Sequence, residues 1–163
     1  MEKLIKQLTA IISKQIGLLR IIRNVEKSKN EVLSSGKLMD FGTVNEHLTS
    51  LIQENERLER EREASLQIIS KEMNLPPIAT FKELIEFITD DKLKNEMIKL
   101  NLELRETVAD IKYLSKINQE LIEVVIQVLD MTLSQETLSE KDIDYTNQAK
   151  NKKDKPLLIN RII

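Results

Sequence analysis

The sequence predicts an all-α protein: an elongated antiparallel helical bundle of three long helices plus one short helix, with a disordered C-terminal tail. Three observations lead there. The 163 residues are 40% hydrophobic and 32% charged, with three Gly and three Pro. That aliphatic and charged mixture, poor in chain breakers, belongs to long helices rather than to a turn-rich α/β fold. Apolar residues recur at alternating steps of four and three over three long stretches, which is the helical period. Beyond about residue 139 the period stops, and "SEKDIDYTNQAKNKKDK" holds too little apolar surface to offset its ordering entropy. The expected division is therefore a helical domain over 1–138 and a flexible tail over 139–163.

The first pattern runs Leu4, Leu8, Ile11, Gln15, Leu18, Ile22 and Val25, widened by Ile5, Ile12, Ile16 and Leu19. It fades at Ser34 to Gly36, where glycine can close a helix. The second pattern follows Gly42, with Thr43 and Glu46 in capping-box spacing. It runs Val44, Leu48, Leu51, Asn55, Leu58, Arg62, Ser65 and Ile69. Asn55 and Arg62 occupy seam positions and are candidates for fixing register. The centre, "QENERLERERE", leaves a thin apolar seam, with Glu56–Arg60 and Glu59–Arg62 spaced as surface ion pairs. Pro76 and Pro77 then stop the helix.

"TFKELIEFI", residues 80–88, reads as a short helix with its own capping box, Thr80 and Glu83. Phe81, Leu84, Ile85 and Ile88 can fold over the end of the bundle. The longest pattern comes last: Leu93, Met97, Leu100, Leu104, Thr107, Ile111, Leu114, Asn118, Leu121, Val125 and Val128. Thr89 or Asp90 is the expected cap, and the pattern reaches Ser134. At 1.5 Å per residue the first two helices span roughly 45–50 Å and the third roughly 65 Å. A hairpin of the first two cannot cover all of the third. Part of the long helix must overhang, dimerise or bind something else.

Composition narrows the function. There is no Cys and a single His, His47, which leaves no disulfide, no thiol chemistry and no His pair for a metal. His47 is expected at the surface. No GxSxG, phosphate-binding glycine loop or HExxH motif is present, so no catalytic, cofactor-binding or metal-binding residue is assigned. The net charge of −2 does not suit a nucleic-acid binder. No apolar run approaches the roughly 18 residues of a membrane span, and charged residues interrupt the N-terminal apolar stretch. The default is a soluble cytoplasmic protein.

The charge is unevenly spread: residues 1–37 carry eight basic and three acidic side chains, whereas residues 78–138 carry seven and twelve. A basic helix packed against acidic partners, with flanking ion pairs, accounts for this. A basic amphipathic helix lying on a membrane is the competing reading.

The stretch "ELIEVVIQVLDMTL" has more apolar residues than one packing stripe needs. One seam uses Leu121, Val125 and Val128; a second has Ile122, Ile126, Leu129 and Leu133, with Val124 and Met131 alongside. One partner helix needs a stripe about 100° wide. The surplus is either a docking face for another helix or packing inside a bundle or homodimer.

The order and spacing of these segments resemble the FlgN-type flagellar export chaperones. The matching stretches are "ENERLEREREASLQIISKEMNL", "ATFKELIEFI" and "KLNLELRETVADIKYLSKINQELIEVVIQVLDMTL". "DYTNQAK" and "LLINRII" resemble the family's tyrosine-containing stretch and its "LxDRR"-like tip, with Asn160 in place of the acidic residue. The resemblance implies a non-enzymatic cytosolic chaperone that binds terminal helical segments of hook–filament junction (hook-associated) proteins, prevents their premature assembly and delivers them to the export gate. On that account Leu121, Ile122, Val125, Ile126, Leu129 and Leu133 hold the cargo, and Tyr145 is the nearest match to the residue that contacts the gate. Leu157 and Leu158, in the apolar "PLLINRII", are expected to fold back on the exposed seam or to order on the cargo. The alternative is a structural coiled-coil homodimer or adaptor.

Overall fold

Glycine and proline divide the chain where the helical period breaks. The structure, a computed structural model, describes residues 2–78 and 80–140. Its helices are α1 (Glu2–Ser35), α2 (Phe41–Glu72), α3 (Phe81–Glu86) and α4 (Asp91–Glu140), and no strand occurs among the described residues. Three long helices and one short one are thus as expected. Two compact units divide the backbone, Met1–Ile126 and Gln127–Ile163, and α4 runs from the first into the second. The disordered tail expected over 139–163 lies, from residue 141 on, outside the described residues.

α1 ends at Gly36, whose φ of 70° is the left-handed conformation that glycine adopts without strain. The start of α2 differs from expectation. A 3-10 turn at Leu38–Asp40 leads directly into α2 at Phe41, and neither Lys37 nor Asp40 caps with its side chain. Thr43 is therefore already inside the helix, whereas an N-cap needs non-helical backbone. Phe41 holds this early start, half-buried beside α1 with the Lys29 Nζ 5.7 Å from its ring centroid.

At the other end of α2, Asn74 takes a positive φ of 52°. Its N–H donates to the Lys71 carbonyl at 3.2 Å and the Leu75 N–H donates to Ser70 at 2.9 Å. This is a Schellman closure with Asn in the glycine position. Buried Ser70 organises the chain that follows: its hydroxyl donates to the Pro76 carbonyl at 2.7 Å and accepts from the Ile78 N–H at 3.3 Å. Thr80 caps α3 as expected by accepting from the Glu83 N–H at 3.2 Å. Asp90 caps α4, accepting from the Leu93 N–H at 2.7 Å.

In the first unit α2 runs antiparallel to α1: Gln15 donates to Asn55 at 3.2 Å and Lys29 to Asn45 at 3.3 Å. α4 returns parallel to α1, since Arg20 pairs with Glu103 and Arg23 with Asp110 at 3.2 Å. The basic α1 thus meets acidic side chains of α4. These pairs are solvent-exposed and contribute about 0–1 kcal/mol each.

The core is built from Ile5, Leu8, Ile12, Ile16, Leu19 and Ile22 of α1, with Leu48, Leu66 and Ile69 of α2 and Met97 and Leu104 of α4. On α1 the buried face therefore combines Leu8 and Ile22 of the predicted stripe with all four residues that widened it, while Leu4, Leu18 and Val25 are only partly buried. A helix flanked by two partners needs a broad apolar face. Ile78, Phe81, Leu84, Ile85 and Ile88 join this core as one cluster.

A buried polar node ties α1 to α4. Asn118 is 1% exposed and Glu26 4%. The Asn118 Nδ2 donates to the Glu26 carbonyl at 2.8 Å and to its Oε2 at 2.6 Å, and the Asn118 Oδ1 accepts from the Asn30 Nδ2 at 2.9 Å. Removing the amide strands a buried carboxylate. Asn118→Ala is expected to lower unfolding stability in urea by about 2–4 kcal/mol, comparable to Leu84→Ala in the dry core at about 2–5 kcal/mol. A loss below about 0.5 kcal/mol for Asn118→Ala would show that the node is not a structural tie.

Candidate functional site

α4 changes character along its length. Between Met97 and Asn118 it keeps one side inward, with Met97, Leu104, Thr107 and Asn118 buried. After Asn118 no described side chain of α4 is buried. Within the first unit Leu121, Ile122 and Val125 are half-buried, and Val124 and Ile126 are about half exposed. Within the second unit Val128, Leu129, Met131 and Leu133 are 48–66% exposed. α4 also runs further than expected, to Glu140 rather than Ser134, and at 50 residues is roughly 75 Å long. Its continuation fits "QETLSE", which contains no Gly or Pro to stop a helix.

At about 100° per residue, the apolar side chains 121, 122, 124, 125 and 126 cover more than half of the helix circumference, leaving Glu120 and Glu123 on a narrow polar edge. In the second unit Val128, Leu129, Met131 and Leu133 likewise occupy a broad arc, with Gln127, Asp130 and Ser134 on the other side. The hydroxyls there turn back to the helix: Thr132 donates to the Val128 carbonyl at 2.8 Å and Ser134 to that of Asp130 at 2.7 Å. An apolar arc this wide exceeds the stripe of about 100° that packing on one partner helix needs.

Of the sequence-predicted partner-binding residues, Leu121, Ile122, Val125, Ile126, Leu129 and Leu133 all lie on α4 with the exposures just given. Tyr145, Leu157 and Leu158 lie outside the described residues. Sequence reading missed Ile98, Leu102 and Tyr113, which are also exposed on α4. Their i, i+4 and i+15 spacing from Ile98 could have revealed them, but the heptad seam beside them carried the stronger signal.

Among the described residues no cluster of His, Cys, Asp and Glu could hold a metal ion, and no helix is long and apolar enough to cross a membrane. His47 is exposed on α2, as expected. The charged centre of α2 is a surface network. Arg57 bridges Glu54 (Nε to Oε2, 2.9 Å) and Glu61, and Arg62 pairs with Glu59 at 3.0 Å, whereas Glu56 and Arg60 do not pair. The hydrogen bond from Arg57, with its charge, holds the Glu54 carboxyl below the usual range, and Glu54 raises the Arg57 guanidinium in turn. Arg62 thus reaches along its own helix, whereas Asn55 does bridge to α1.

Among the described residues the fold is helical throughout its regular elements, and its longest helix presents apolar side chains to solvent. Residues 1–152 match the family described as FlgN protein, so the chain belongs to the FlgN family, a family of flagellar chaperones. No curated protein and no solved structure gives a significant match.

A side chain half exposed to water contributes little to folding. Leu129→Asp is expected to change urea stability by less than about 1 kcal/mol. A loss of several kcal/mol would mean that this side chain belongs to a packed core.

Proposed function

We propose that this protein is a flagellar type III export chaperone that binds the terminal helical segments of hook-associated junction proteins in the cytosol, prevents their premature assembly and delivers them to the export gate. The observation that carries the proposal is the breadth of exposed apolar surface on α4 after Asn118, in a member of a chaperone family. A cargo helix that must later pack into a filament carries an apolar stripe, and leaving that stripe in water invites self-association. A second amphipathic helix masks it reversibly, by the same hydrophobic contact that the final assembly uses.

Leu121, Ile122, Val125, Ile126, Leu129 and Leu133 are the side chains that would meet the cargo. Release needs no chemistry, because the contact is apolar packing alone. Tyr145, the nearest match to the family's tail tyrosine, is the residue proposed to contact the export gate. A structural homodimer through the same face is the rival. The two are separated by sedimentation, since a tight dimer that no cargo dissociates fits the structural role.

Interface energy concentrates in a few central apolar residues. Ile126→Asp combined with Leu129→Asp is therefore expected to weaken binding of a hook-associated protein's terminal segment at least about tenfold in a calorimetric titration. Unchanged affinity in a folded double variant would move the cargo site elsewhere.

A further inference from the structure

Residues 156–163, "PLLINRII", carry five Leu or Ile side chains, and the family match stops at residue 152. On the reading that α4 holds cargo, its apolar arc needs a cover before cargo arrives.

We propose that residues 156–163 dock on the apolar arc of α4 within the second unit, at Val128, Leu129 and Met131, and act as an intramolecular occupant that cargo displaces. Three observations converge on this occupant. The first is apolar match: Val128, Leu129 and Met131 are 48–66% exposed, and the neighbouring Thr132 hydroxyl is satisfied by the Val128 carbonyl, so an aliphatic segment strands no polar group there.

The second is charge. Residues 127–140 contain Asp130, Glu136 and Glu140 and no basic residue. Residues 150–161 contain Lys150, Lys152, Lys153, Lys155 and Arg161 against Asp154 alone. A basic segment beside an acidic helix is attracted to it, and opposite charges flanking an apolar contact fix its orientation.

The third is reach. The cassette starts 16 residues after Glu140, the last described residue of α4, and such a connection spans at most roughly 55 Å. Leu129 lies 11 residues back along α4, roughly 17 Å. The connection is long enough to return to the arc, and tethering raises the local concentration of the cassette far above that of a free competitor. Weak contacts are enough to occupy the face under those conditions, yet a cargo helix making more contacts can displace them.

The chain has no Cys and no Trp, which makes it a clean background for the test. An apolar-surface dye such as anilinonaphthalene sulfonate is expected to fluoresce at least twofold more strongly with a variant lacking residues 156–163 than with the full chain. Adding a synthetic peptide of residues 150–163 in trans should reverse the increase. Equal emission from the two proteins would overturn the proposal.

The paired substitution Val128→Cys with Leu158→Cys supplies a second readout that does not depend on dye. Oxidation is expected to give a cross-linked monomer. A cross-linked dimer would mean that the cassette docks on a second copy, and no cross-link would mean that it does not dock here; either result overturns the intramolecular contact. Neither measurement uses cargo, so failure here leaves the export-chaperone reading standing, and failure of that reading leaves these outcomes unaffected.

Discussion

The side-chain amide of Asn118 is the constraint on which the register of α4 depends. Every hydrogen-bonding group of that amide is engaged with Glu26 or Asn30 of α1. A shift of α4 by one helical turn would leave a buried carboxylate and a buried amide unpaired. Apolar side chains alone would tolerate such a slip, because leucine and isoleucine rows look alike from turn to turn. A polar node distinguishes one register from the next, at some cost in desolvation. The part-buried Gln15–Asn55 bond does the same between α1 and α2, so each long partner of α1 is tied to it through a side-chain amide.

Register then decides which apolar residues of α4 are left over. N-terminal to Asn118 the helix has a single inward row, and the core of α1, α2 and the α3 segment takes it up. C-terminal to Asn118 come Leu121, Ile122, Val124, Val125 and Ile126, more than one row can use, and then Val128, Leu129, Met131 and Leu133. Aliphatic side chains left exposed in such number on one helix usually have a partner. The same residues are tolerable in water because Glu120, Glu123 and Asp130 edge the helix and keep it charged.

Much of this could be read from the sequence. Period-3.6 patterning placed all four helices, and short-range chemistry placed Thr80 and the end of α1 at Gly36, because caps and left-handed positions depend on a few neighbouring residues. The surplus on "ELIEVVIQVLDMTL" was legible because it violates the single-stripe rule. Other features were not. The capping box at Thr43 and Glu46 is a sound local signal, but the 3-10 turn at Leu38–Asp40 already carries the chain into α2 at Phe41. Asn74 closes α2 in place of a glycine, a conformation that nothing in "KEMNLPP" demands. Asn118 appeared as one polar interruption of a heptad, and its partners are 88 and 92 residues away in the chain. Only the folded chain reveals that it is a tie rather than a defect.

On the proposed function, cargo packs on the aliphatic side chains that α4 exposes after Asn118. Hydrogen–deuterium exchange of the full chain, with and without the terminal helical segment of a hook-associated protein, tests it most directly. The account predicts added protection concentrated in residues 121–134, with the amides of α1 and α2 little changed. Protection confined to the Ile98–Tyr113 stretch or to the α3 region, with residues 121–134 exchanging as before, would contradict it.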